Sequence, residues 1–332
     1  MEIKQVLVTG GAGYVGAVLV PILLNNGVNV KVIDWYIFGD KIFGKYDHHP
    51  GLKQIKGDIR DGKLMDRELD GTDAVIHLAC ISNDPSYELD RNFGKSINYD
   101  ATRQLTDLAK KRGVARFIYA STSSVYGIKK EAEVTENLSL EPLTDYSKYK
   151  MLSEQYILGQ QSDDFTVVVI RPATICGYSP RMRLDLTVNM LTVQALTRKK
   201  ISVFGGKQYR PNIHIKDMAE LYLKTLKYPK EKISGKIYNV GYQNYTILEI
   251  ADMVKKVIGD PQIEIAVSPT NDNRSYRIAS GKIKEELGFV PKHTVAEAII
   301  DIKKAFRAGK IASPESDSRY YNIKKMKEIL GK

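Results

Sequence analysis

The most constraining feature of this sequence sits at its start. A short apolar run, Val6–Val8, leads straight into Thr9-Gly10-Gly11-Ala12-Gly13-Tyr14-Val15-Gly16, and a helical pattern, Val15–Asn25, follows at once. Residues without a Cβ allow a tight turn. They also let an anion approach the backbone N–H groups that open a helix, where the dipole favours negative charge. Gly10, Gly13 and Gly16 fit one glycine spacing, and Gly11, Gly13 and Gly16 fit the other; both serve the same chemistry. Strand, glycine turn and helix together point to a unit that holds the diphosphate of a dinucleotide. The next apolar run closes on Asp34, 18 positions past Gly16. A carboxylate there accepts hydrogen bonds from ribose hydroxyls and repels a 2′-phosphate, and no arginine follows to receive one. The expected cofactor is therefore NAD, held by Gly10, Gly13, Tyr14, Val15, Gly16 and Asp34.

The same texture continues. Val30–Ile33, Ala74–Leu78, Phe117–Ala120 and Thr166–Ile170 are continuous apolar runs, as in strands buried on both faces. Helical stretches such as Ile97–Arg112 and Tyr146–Gln160 lie between them. Strand–helix alternation with right-handed crossovers gives a Rossmann-type, doubly wound parallel α/β sheet. Beyond Cys176 the pattern loosens. Pro180–Lys200 reads as a loop feeding a helix. Ile201–Phe204, Asn212–Ile215, Ile237–Val240 and Ile263–Val267 read as strands, and Leu248–Ile258 and Val295–Ala308 as helices. The expected organisation is a dinucleotide-binding domain over residues 1–175 and a smaller C-terminal α/β substrate-binding region over 176–332. Segments near 211–241 are expected to return to the first domain.

Composition narrows the function. The 332 residues carry a formal charge of +11, but the lysines are scattered and no basic motif is interleaved with aromatics. An anionic small substrate fits this better than a nucleic acid. No apolar stretch approaches a membrane span, and the strand-like start leaves no room for a leader. Two cysteines, Cys80 and Cys176, end apolar runs and read as small buried residues in a reducing, cytoplasmic setting. No His/Cys/carboxylate cluster has metal spacing, so no metal site is expected.

Tyr146-Ser147-Lys148-Tyr149-Lys150 contains Tyr-x-x-x-Lys. Tyr126/Lys130, Tyr228/Lys232, Tyr320/Lys324 and Tyr321/Lys325 match it too, but Gly127 and Pro229 spoil a helix at the first two, and the last two lie outside the alternating region. Only Tyr146 and Lys150 fall early in a helix between two sheet strands, on one face of it. The ammonium is expected to lower the phenol's pKa, making Tyr146 a base for a sugar hydroxyl. Ser121–Ser124 follow the Phe117–Ala120 strand at the end where ligands bind, either as a capping turn or as hydroxyls for the reacting oxygen. Asp58, in Gly57-Asp58-Ile59, suits either the adenine amino group or a helix cap. Ile59, Leu78 and Ala79 are placed beside the cofactor, while His77 reads as a packed strand residue.

With these residues in view, the chain resembles the extended short-chain dehydrogenase/reductase proteins, in their nucleotide-sugar epimerase/dehydratase branch. The carriers are TGGAGYVG at Thr9–Gly16, GDIRD at Gly57–Asp61, HLA at His77–Ala79, STSSVYG at Ser121–Gly127, YSKYK at Tyr146–Lys150, RPATICGYSPRMRLD at Arg171–Asp185, RPNIHIKD at Arg210–Asp217, YNVG at Tyr238–Gly241 and ELGFVP at Glu286–Pro291. The resemblance implies a third catalytic group, Thr122, and a structural or cofactor-side Asn98. It implies a nucleotide-sugar substrate whose diphosphate meets Asn189, Arg210 and Arg274. Arg181 and Arg183 are further phosphate candidates or surface salt bridges, and Ser82, Asn83 and Ser123 join the substrate side. A homodimer built on helices such as Ile97–Arg112 is also implied. Dehydratases of this branch carry a glutamate, some with a preceding aspartate, where this chain has Ser124 and Ser123. A 4-epimerase or dehydrogenase is therefore expected ahead of a 4-ketoreductase or a 4,6-dehydratase using Asp84. A non-catalytic NAD-binding regulator is the alternative of another class.

Overall fold

The computed structural model describes residues 2–270 and 275–332. Its main sheet has seven parallel strands: β1 (Gln5–Thr9), β2 (Asn29–Asp34), β3 (Leu52–Lys56), β4 (Ala74–His77), β5 (Arg116–Ala120), β6 (Thr166–Pro172) and, returning late in the chain, Lys236–Val240. The spatial order runs β3-β2-β1-β4-β5-β6 and then Lys236–Val240. The order reverses between β1 and β4, and a crevice opens there at the carboxyl ends of the strands.

β1 shows why the strands read as unbroken apolar runs. Val6 and Val8 face one core with Leu19, Leu23 and Met218, while Leu7 faces the other with Leu105 and Met65. All of these are fully buried. Each such side chain contributes about 1.5–3 kcal/mol of burial. Helices Gly16–Asn25 and Ile215–Lys227 cover the first face, and Ala101–Lys111 and Asp145–Gly159 the second. A third core lies under helices Thr187–Arg198, Ile247–Ile258 and Val295–Arg307. It carries two small sheets. One is Thr174–Cys176, Tyr209–His214 and Gln243–Thr246; the other is Lys200–Phe204 with Glu264–Ser268.

One expected helix is interrupted. The stretch read as Ile97–Arg112 is a short helix Arg91–Lys95, a single π turn Ser96–Asp100 and then Ala101–Lys111. The cause is Asn98. Its side chain brackets the Ile81 backbone, accepting from N (2.8 Å) and donating to O (3.0 Å). Its carbonyl takes the hydroxyls of Thr102 and Ser153, each at 3.0 Å. A π turn accommodates that insertion and commonly marks a functional site. Among the described residues no helix is long and apolar enough to cross a membrane.

Candidate active site

A cavity of about 400 Å³ occupies the crevice, within the range for a small-molecule site. Its floor is the glycine turn. Gly10 has φ +70° and donates to Ile33 O; a Cβ there would stand 2.6 Å from Ala79 N. That close approach is why Leu78 and Ala79 line the same wall. A Cβ on Gly13 would meet Gly10 O at 3.0 Å, and one on Gly16 would meet Gly11 O at 2.2 Å. Helix Gly16–Asn25 begins with no side chain capping its N–H groups. This cradle, which side chains would fill, is shaped for a diphosphate against backbone donors, and the residues present fit NAD.

Asp34 lines the cavity and also ties the turn together, accepting from Ala12 N (3.0 Å) and Tyr36 N (2.8 Å). Burial pushes its pKa up against those bonds. Tyr14, Val15 and Ile59 stand on the same side. Asp58 does not. Its carboxylate receives the fork of Arg60, with Nη2–Oδ2 at 2.6 Å, and the Arg60 guanidinium covers Phe93 and Trp35. The Asp58 carboxylate is thus held in an ion pair between Gly57 and Ile59, which line the cavity.

On the far wall, helix Asp145–Gly159 starts from a capping box, Thr144 with Ser147. It brings Tyr146 and Lys150 to the cavity beside Thr122 of the turn after β5. Lys150 Nζ donates to Ala120 O at 2.7 Å, anchoring the ammonium to the end of β5. Thr122 lines the cavity, and its Oγ1 caps Ser124 N at 3.2 Å. Tyr146 corrects an expectation. Burial raises its pKa above the ordinary phenol value, Cys80 adds to that, and Lys150 pulls only part of it back. His77 is buried between the hydroxyls of Thr9 (2.6 Å) and Thr102 (2.9 Å), and burial lowers its pKa to about 3.

The substrate-side expectations divide. Ser82, Asn83, Ser123, Arg181 and Arg183 line the cavity. Arg183 pairs with Asp185 at 2.9 Å, a half-buried pair on the cavity side. Asn189 is fully buried and off the cavity wall. Its amide donates to Tyr14 OH (3.0 Å) and Arg183 O (2.9 Å) and accepts from Gly177 N (3.0 Å), so it fixes the loop under the site and has no capacity left for a diphosphate. Arg210 lies in the Tyr209–His214 strand, where Nη1 donates to Tyr209 O, away from the cavity lining. Arg274 lies outside the described residues.

Several residues were missed. Cys80 is half-buried on the cavity wall beside Tyr146, not a packed core residue, whereas Cys176 is buried as read. Asn322 and Met326, from the helix Asn322–Leu330, close one side of the site. Only their distance in sequence hid them. Beneath the site, Arg171 and Glu154 form a buried pair at 2.6 Å. Arg171 also donates to Tyr126 OH (2.8 Å), which donates to Asn239 Oδ1 (2.7 Å). Tyr126 therefore belongs to the scaffold.

A family model described as the NAD dependent epimerase/dehydratase family matches residues 6–241. UDP-glucose 4-epimerase of Corynebacterium glutamicum is 28% identical over 320 residues, spanning 91% of this chain and 95% of that protein. UDP-glucuronic acid decarboxylase 2 of Arabidopsis thaliana is 30% identical over 318 residues, spanning 91% of this chain and 68% of that protein. A solved structure of UDP-glucuronic acid 4-epimerase from Bacillus cereus, in complex with UDP-glucuronic acid and NAD, matches with a TM-score of 0.81 at 25% identity. It covers 92% of this chain and 99% of that one. In fold alone, dTDP-glucose 4,6-dehydratase from Streptomyces venezuelae matches with a TM-score of 0.84 at 24% identity, covering 94% and 99%. The glycine cradle, the Tyr146/Lys150 pair and these matches agree, and the chain belongs to the NAD dependent epimerase/dehydratase family, as an NAD-dependent enzyme of the extended short-chain dehydrogenase/reductase type in its nucleotide-sugar branch.

Proposed function

We propose that this enzyme is a nucleotide-sugar 4-epimerase. The observation that carries the reading is the pair Ser123 and Ser124. Both line the cavity next to Thr122, at the positions where the branch's dehydratases are expected to hold acids. Hydroxyls there can orient a sugar but cannot take a carbon-bound proton at neutral pH. The remaining set, Thr122, Tyr146 and Lys150, suffices for oxidation at C4. Tyr146 takes the proton of the C4 hydroxyl, Thr122 shares a hydrogen bond with the same oxygen, and Lys150 favours the phenolate and holds the nicotinamide ribose. Bound NAD supplies the hydride acceptor and donor. After the C4 ketone forms, turning the sugar by its diphosphate presents the opposite face, and Tyr146 returns its proton to the new hydroxyl. A cytoplasmic homodimer belongs to the same proposal, on the strength of the resemblance; sedimentation as a monomer would count against it.

A second reading has its own support. Asp84 lines the cavity, accepts a hydrogen bond from Thr144 Oγ1 at 2.7 Å, and its charge acts on Tyr146. It is the acid a 4,6-dehydratase would use. The two readings separate on the variant Asp84→Asn, assayed by chromatography of the products from a panel of UDP- and dTDP-sugars with NAD. The 4-epimerase reading expects an epimer from the parent and at most about tenfold loss in the variant, less than removal of a positioned acid/base costs. A 4-keto-6-deoxy product that vanishes with Asp84→Asn would establish the dehydratase instead.

A further inference from the structure

Arg181 is 4% exposed, yet only part of its guanidinium is partnered. Nη2 donates to Asn322 Oδ1 at 2.5 Å, while Nε and Nη1 are buried without a hydrogen-bond partner. Among the described residues it forms no ion pair. The two carboxylates that act on it are both engaged elsewhere. Asp185 holds Arg183, Asn83 Nδ2 and Asn322 N; Asp34 holds Ala12 N and Tyr36 N. Burial, with help from the Arg183 charge, brings the Arg181 pKa down to about 9. A desolvated cation without an anionic partner is costly, and proteins normally pair it or let it neutralise.

Its surroundings say which anion would complete it. Arg181 lines the cavity, and its Cζ stands 3.5 Å from the ring centroid of Phe38. Phe38 follows β2 and Asp34, and Tyr14, on the same cavity wall, belongs to the glycine turn. Both belong to the cofactor side. We propose that Arg181 is a cofactor-binding residue, whose Nε and Nη1 take the diphosphate of NAD while Phe38 and Asn322 hold the guanidinium in place. This moves Arg181 away from the substrate diphosphate, where the sequence put it. The two free donors lie on different edges of the planar guanidinium, so each offers a separate charge-assisted hydrogen bond to a phosphate oxygen. The inference rests on the family's cofactor and is independent of which sugar chemistry follows.

The sugar nucleotide also carries a diphosphate, so the experiment must separate the two. The variant is Arg181→Met, which keeps the length and removes the charge. Calorimetry reads NAD binding, then UDP binding with NAD saturating, and thermal melting reads the nucleotide-stripped protein. The expected result has three parts. NAD binds about tenfold weaker or worse. UDP affinity stays within about twofold of the parent. The stripped variant melts at or above the parent's temperature, because an uncompensated buried charge is gone. Unchanged NAD binding, or a loss for UDP as large as for NAD, would overturn the proposal. A lowered melting temperature with NAD affinity intact would make Arg181 a structural residue and overturn it too. Should Arg181→Met not fold, Phe38→Leu frees the guanidinium from its ring; it is expected to weaken NAD by a smaller factor and leave UDP alone, and unchanged NAD affinity would overturn the proposal.

Discussion

At the scale of single residues, the proposed reaction turns on a phenol whose environment resists ionisation. Burial raises the Tyr146 pKa and Lys150 is the group that lowers it. Tyr146→Phe removes only the hydroxyl, so NAD binding should survive while C4 oxidation drops by about two to four powers of ten, measured at 340 nm. Lys150→Met removes the lowering influence, so the rising limb of the rate–pH profile should move to higher pH, with weaker NAD binding alongside. A limb that stays in place would mean that Lys150 does not tune Tyr146. His77 offers a stability test with a defined sign. Its folded pKa of about 3 lies below the ordinary 6.5, so the protein gains stability from a neutral His77 above 6.5. That stability drains as the pH falls from 6.5 through 3, on the order of a few kcal/mol in total. His77→Gln should flatten the dependence of urea stability on pH across that window. Much at this scale was legible: the glycines, Asp34, Tyr146 and Lys150 sit within short motifs whose chemistry is local. Asn189 was misplaced because its partners Tyr14, Arg183 and Gly177 depend on backbone paths that local sequence does not display.

Elements were read well where one rule sufficed. Strands buried on both faces announce themselves as apolar runs, and the helices between them by their period. β3 carried a weaker signal, since Leu52-Lys53-Gln54-Ile55-Lys56 is an edge strand with half-buried and exposed residues. The π turn at Asn98 was not legible because its cause, the Ile81 backbone, arrives from another segment. The network under the site is a further case. Ser121, Glu154, Arg171, Tyr126 and Asn239 join β5, β6, helix Asp145–Gly159 and strand Lys236–Val240 through buried hydrogen bonds. Glu154→Ala would leave the Arg171 guanidinium buried without its counter-charge. It should cost about 3–5 kcal/mol in urea unfolding, far more than loss of an exposed pair. A change below about 1 kcal/mol would show that the pair relaxes into solvent when cut.

For the whole molecule, the candidate active site is where distant stretches converge: a glycine turn near the start, a helix from mid-chain, the loop after Cys176 and the helix Asn322–Leu330. The doubly wound sheet explains why the first two meet. It does not explain the last, which is held by Asn322 reaching Ser82 Oγ (2.6 Å), and no sequence pattern foretold that closure. The central claim is that the ketone formed at C4 is reduced again on the same enzyme. Proton NMR of the products in D2O, with the parent enzyme, NAD and a panel of UDP- and dTDP-sugars, tests it most directly. The account predicts a mixture of C4 epimers with no deuterium on the sugar carbons and no net reduction of NAD, because the hydride that leaves is the one that returns. Deuterium at C5 or C6 with a 4-keto-6-deoxy product, or accumulation of NADH with a 4-keto sugar, would contradict it.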